Sequence, residues 1–253
     1  MLLLDLRRIG YQEALVLQNR IVERKIARPA PDVLLLVEHP PTVTLGVRGK
    51  ACDLLVSPEE LQRRGVAIHY VDRGGEATYH GPGQLVGYPI IDLRSRRVSA
   101  REYVHRLEET LIRTLAVFQV SGSRSPDRPG VWIGPREKIA SIGVKIRRRV
   151  TSHGFSLNVD VPVDPRELIV SCGIPDARMV DLKKLTGAHI EHGVRESRCG
   201  SIFPGSIRSC SGTVFCLTGH LHVTTLCLAR KGTWQYPSVI ASGISGPESL
   251  RPF

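Results

Sequence analysis

Three groups of residues in this 253-residue chain have types and spacings suited to chemistry. The first is the stretch from Arg73 to Asp92, RGGEATYHGPGQLVGYPIID, where glycine recurs at 74, 75, 81, 83 and 87 and Pro82 sits between two of them. Glycines at this density let a backbone lie against a ligand with no Cβ in the way. Arg73, Thr78, Tyr79, His80 and Gln84 bring cationic and hydrogen-bonding groups to the same loop, so we expect it to bind a ligand. The second is Lys138, which opens KIASIGVKI; alternation places it on the face of Ala140, Ile142, Val144 and Ile146. A lysine there either snorkels to water from a strand end or is buried, where desolvation disfavours its charge unless an anion lies beside it. The third is Cys172 in IVSCGIP, at a turn ahead of Gly173 and Pro175. It reads as a packed thiol or, with a cationic neighbour stabilising the thiolate, as a nucleophile.

The elements that must position these groups are legible in outline. Leu2 to Leu6 reads as a strand, and Tyr11 to Arg28 as an amphipathic helix. Val33 to Val37 is an apolar run typical of a strand buried on both faces, followed by a short strand at Thr42 to Leu45. Ser57 with Glu60, and Ser99 with Glu102, have the capping-box spacing and open two helices, the second with Val104, Leu107, Leu111, Leu115 and Phe118 on its apolar face. Ala67 to Val71 alternates as a strand, and Leu85 to Ile91 reads as a buried strand beneath the glycine loop. Ser121 to Gly130 is an exposed loop, and strand-like pieces follow at Val131 to Ile133, Lys138 to Ile146 and Val150 to Val161. Without strict βαβ alternation, an α+β domain with a central mixed sheet and surrounding helices is expected.

No stretch is apolar and long enough to span a bilayer, and the amino terminus lacks a secretory or transit signature. A cytoplasmic enzyme with reduced thiols is therefore expected from the six cysteines. The net charge of +11 invites a nucleic-acid reading, but few aromatics accompany it and no motif supports one. The dense run Lys145, Arg147, Arg148, Arg149 is either a solvated turn or a landing site for an acidic partner.

RGGEATYHGPGQLVGYP (73 to 89), KIASIGVKI (138 to 146), HGFSLNV (153 to 159) and IVSCGI (169 to 174), in this order, resemble the lipoyl(octanoyl) transferases of lipoate biosynthesis, the LipB family; EHPPTVTLG (38 to 46) adds to the likeness. The resemblance extends to about Leu185. It implies a fold related to the lipoate and biotin protein ligases. It implies transfer of an octanoyl group from octanoyl-acyl carrier protein to a lysine of lipoyl-domain proteins, which are 2-oxoacid dehydrogenase subunits and the glycine cleavage H protein. It implies that Cys172 accepts the acyl group and that Lys138 stabilises its thiolate. Substrate contacts fall, by the same resemblance, on Arg73, Gly74, Gly75, Glu76, Ala77, Thr78, Tyr79 and His80, on Ser141, Ile142 and Gly143, and on Gly154, Phe155 and Ser156. Leu85, Ile142 and Phe155 are candidates for lining the acyl chain. Either Lys138 or His80 would take the proton of the attacking amine. Thioester exchange needs no ATP, so no cofactor is expected, and the likeness points to a monomer that binds neither membrane nor nucleic acid.

The chain departs from the family at Ser171, usually proline, and at Ser156, commonly alanine. We expect a catalytic domain over 1–192 and an atypical, poorly packed Gly- and Ser-rich tail over 193–253. The tail holds Cys199, Cys210, Cys216 and Cys227 with His220 and His222, but without any C-x-x-C pair, so no metal is expected. The competing readings are an ATP-dependent lipoate or octanoate ligase, with Lys138 against phosphates, and a catalytically impaired acyl-binding homologue.

Overall fold

The computed structural model describes residues 1–170 and 177–187, with the backbone of the paired segments Ile190–Glu191 and Ala229–Arg230. The expected boundary at 192/193 and the six tail residues named above lie outside the described residues, as do Ser171 and Cys172.

The apolar run becomes β2 (Val33–Glu38), an interior strand next to β1 (Leu2–Arg8), which begins the sheet. The rest of that sheet is β6 (Gln84–Ile90), β7 (Gly130–Trp132), β8 (Glu137–Arg147), β9 (Val150–Asn158) and β10 (Arg178–Met179), in the order β1-β2-β6-β9-β8-β10 with β7 also on β8. β1 pairs parallel to β2 and β10 parallel to β8, while the other neighbours are antiparallel, so the sheet is mixed as expected. A smaller sheet holds β3 (Thr42–Leu45) between β4 (Ala67–Tyr70) and β5 (Ala77–His80).

Helices cover both faces of the large sheet. α1 (Tyr11–Ala27) packs Ala14 and Val22 against Leu35, Val37 and Tyr88. Two short helices, α2 (Pro58–Arg63) and α3 (Leu93–Arg96), precede α4 (Ala100–Val117), which packs Leu107, Leu111 and Leu115 against Leu36, Leu85 and Leu157 on the other face. α5 (Leu182–Thr186) follows β10. The hydroxyls of Ser57 and Ser99 accept the N–H groups of Glu60 and Glu102, so both helix starts form as the capping spacing predicts. Val104 departs from the expected face: it is half-buried and lines the cavity described below.

Two expectations need correction. Ala77–His80, read as part of a loop, is strand β5, because β3 offers it a full antiparallel ladder from Leu45↔Ala77 to Thr42↔His80. The alternation assumed for KIASIGVKI also breaks. The register against β7 shifts between Val131↔Ala140 and Trp132↔Lys138, leaving Ile139 as the extra residue of a bulge. Ile139 and Ala140 both enter the core, and Lys138 faces the cavity wall instead of sharing their environment.

Candidate active site

An open cavity of about 250 Å³ lies where the glycine loop, β8 and β9 converge. Arg73, Gly74, Gly75, Glu76, Thr78 and His80 line it from the loop and β5. Lys138, Ser141, Ile142 and Gly143 line it from β8, and Gly154, Phe155 and Ser156 from β9. Ala77 and Tyr79 are the exceptions: alternation along β5 turns them to the opposite face, into the core beneath the small sheet with Val43 and Leu45. Leu85, proposed against an acyl chain, packs in the core under α4, while Ile142 and Phe155 reach both core and cavity.

The loop is held by backbone bonds to both sheets. Gly74 N–H donates to Val144 O, and the N–H groups of Gly46, Val47 and Arg48 donate to Glu76 O, Arg73 O and Gly75 O. The buried Arg73 guanidinium donates to Thr44 O and Oγ1, Gly74 O and Glu76 O, so this cation is part of the loop's own scaffold.

Lys138 is only 2% exposed, which excludes the snorkelling alternative. Its Nζ lies 5.0 Å from the ring centroid of Trp132.

Tyr11, Tyr88 and His153 also line the cavity, although sequence reasoning did not name them as site residues; they sit with His80 in a cluster of rings that includes His39 and His69. Tyr11 opens α1 and lies between neighbours His69 and His80, at centroid distances of 5.2 and 5.9 Å. His39 Nδ1 donates to Ile9 O at 2.8 Å, so its Nε2 accepts the Tyr88 hydroxyl at 2.7 Å. His153 Nε2 donates to the Asp72 carboxylate at 3.1 Å. Burial holds His39, His80 and His153 below the ordinary histidine range, His80 at about 3, so all three are neutral near pH 7. Burial also pushes the Tyr11 hydroxyl up to about 12. Asp72 is opposed by partial burial, yet hydrogen bonds from Lys145 and His153 keep it ionised and below the usual aspartate range. Tyr88 and His153 both stand in the quoted motifs, where a signal existed; Tyr11 had none beyond its helical position.

The basic run is partly engaged. Lys145 pairs with Asp72, Arg147 with Glu23 at 3.9 Å, and Arg149 donates to Val98 O at 2.7 Å. Arg148 and Arg149 form the two-residue turn between β8 and β9, both at positive φ. Among the described residues, no group of three or more His, Cys, Asp or Glu side chains is arranged to hold a metal ion, and no helix is long and apolar enough to cross a membrane.

Comparison with known proteins extends this geometry. Residues 10–198 match the family model of the lipoyl protein ligase A/B catalytic domain. An octanoyltransferase of Acidobacterium capsulatum is 50% identical over 193 residues, covering 72% of this chain and 78% of that one. One from Desulforamulus reducens is 45% identical over 180 residues, covering 71% and 78%. Among solved structures, a bipartite lipoate protein ligase from Thermoplasma acidophilum superposes with a TM-score of 0.57 at 15% identity, covering 73% of this chain and 75% of that one. A lipoate-protein ligase A bound with ATP gives 0.58 at 16%, covering 74% and 78%. Those distant likenesses show a shared fold alone, whereas the close relatives span most of the chain; by descent and by fold it belongs to the octanoyltransferases of the lipoyl protein ligase A/B family.

Proposed function

We propose that this octanoyltransferase passes the octanoyl group from acyl carrier protein to a lipoyl-domain lysine through a thioester on Cys172, with Lys138 carrying the proton. One observation supports the reading most: a lysine 2% exposed on the wall of a cavity lined by all the family's substrate-contact positions except Ala77 and Tyr79. Cys172 itself lies outside the described residues.

The cycle balances with these two groups. Cys172 thiolate attacks the octanoyl thioester, the carrier sulfur leaves, and the Lys138 ammonium protonates it, so the carrier departs as a thiol. The acyl-enzyme then holds a neutral Lys138. When the acceptor amine attacks the thioester, Lys138 takes the proton the nitrogen must lose, and Cys172 leaves again as thiolate. His80 is the weaker candidate for this transfer, since burial holds it near 3 and a base so weak is poorly matched to neutral pH. It serves better as a fixed neutral hydrogen-bonding group. The basic surface suits an acidic carrier protein in a cytoplasmic, thiol-reducing setting.

Intact-mass spectrometry of the protein mixed with octanoyl-acyl carrier protein, without ATP, tests the reading. A gain of one octanoyl group that Cys172→Ala abolishes is expected. No gain in the parent protein would overturn it, and repeating with octanoate and ATP would then separate an ATP-dependent ligase from an impaired homologue.

A further inference from the structure

We infer that Trp132 is the positioning residue for Lys138: its indole holds the lysine's ammonium group at the cavity wall. This rests on the role of Lys138 given above. The bulge at Ile139 sets Trp132 directly across from Lys138, the arrangement in which cross-strand side chains meet. Lys138 Nζ is 5.0 Å from the ring centroid, inside the range over which an aromatic face attracts a cation. Trp132 is itself 2% exposed, so the indole is a packed face of fixed position rather than a mobile surface side chain. Its Nε1–H donates to Arg128 O at 3.2 Å, which fixes the plane of the ring.

Gly130 completes the seat. Its φ is +131°, and a Cβ there would lie 2.6 Å from Lys138 Cε and 2.4 Å from Ala140 O, so any other residue would drive the lysine from this position. The Gly130 N–H donates to the buried carboxylate of Glu108 at 3.1 Å. The ionisable groups near Lys138 among the described residues include Arg128, whose Cζ is 5.1 Å from the same ring, Asp127 beside it, Glu108 on α4, Glu137 on β8 and Arg178 on β10, while Tyr11, Arg48, Arg73, Glu76, His80 and His153 line the same cavity. The stretch from Gly130 to Lys138 therefore acts as one unit, with strand β7 carrying no reacting group but fixing the proton carrier.

The test is the pH dependence of iodoacetamide alkylation at Cys172, read by peptide mass on the full chain, beside the single-turnover acylation rate. Lys138→Met should move the alkylation midpoint upward. Trp132→Leu should move it the same way by about half a pH unit and slow acylation about three- to tenfold, with no added shift in the double variant. Trp132→Phe should fall between parent and Trp132→Leu, and it decides the matter if the leucine variant does not fold. An unmoved midpoint in the folded Trp132 variants, with Lys138→Met shifted, would overturn the inference and leave the proposed function standing. An unmoved midpoint in Lys138→Met would instead defeat the underlying lysine–thiolate reading.

Discussion

Nδ1 of His80 donates to the side-chain oxygen of Gln84 at 2.7 Å, because the Gln84 amide nitrogen donates to Tyr79 O at 3.2 Å and to Asn158 Oδ1 at 2.9 Å. Asn158 is oriented in turn by donating to Val180 O at 3.1 Å. The chain of donors fixes one tautomer, with the lone pair on His80 Nε2.

Replacing Gln84 by glutamate sets a carboxylate beside that imidazole. The histidine, held near 3 by burial, should then titrate about one to three units higher. NMR titration of the imidazole resonances measures this, and an unchanged midpoint would remove Gln84 as its controlling partner.

Acid should weaken the fold well before the carboxylates titrate. His39, His80 and His153 have folded pKa values below the ordinary 6.5, so below that pH the unfolded chain binds more protons than the native one. Stability is complete above about pH 6.5 and falls as pH drops toward each folded value, by up to about 1.4 kcal/mol per pH unit for each histidine. Urea unfolding between pH 7.5 and 5 should show it. A His153→Gln variant with an unaltered slope would count against the claim.

The loop closing the small sheet onto the large one leaves no room at Gly83. Its φ is +80°, and a Cβ there would lie 1.8 Å from Asp160 O, while Gly83 O accepts the N–H groups of Val159 and Asp160 at 3.0 Å. Gly83→Ala should cost at least about 3 kcal/mol in denaturant unfolding. A loss below about 1 kcal/mol would mean that this junction gives way.

Lys25 and Asp32 pair at 2.8 Å with side chains 3% and 11% exposed, and Lys25 also donates to Ala30 O. Asp32→Ala strands the ammonium and should destabilise by about 3 kcal/mol. The double variant Lys25→Met/Asp32→Ala should recover much of that in chemical unfolding; no recovery would show that the carboxylate's bonds to Arg96 and to the Asp92 N–H matter more.

Elements whose sequence carries its own signal were readable in advance. Ser57 and Ser99 announced their helices because a cap is a local hydrogen bond, and Val33 to Val37 announced a strand because burial on both faces leaves an all-apolar run. β5 was hidden because its ladder is supplied by β3, more than thirty residues earlier in the chain. The same holds for the site. Lys138 and the glycine loop stood out by type, but Trp132 becomes the neighbour of Lys138 only through a bulged register that no residue of KIASIGVKI encodes alone. Tyr11 reaches the cavity only because α1 crosses the sheet.

The β6–β9 pairing has a consequence for how the protein comes into being. Gln84 and Asn158 meet across a sequence separation of 74 residues, so the cavity's two halves join only after a long loop has closed. The β8–β9 hairpin, turning at Arg148 and Arg149, is local by comparison and can form early. Folding should therefore show a fast hairpin phase and a slower one in which the glycine loop docks, with acyl transfer appearing only at the end of the second.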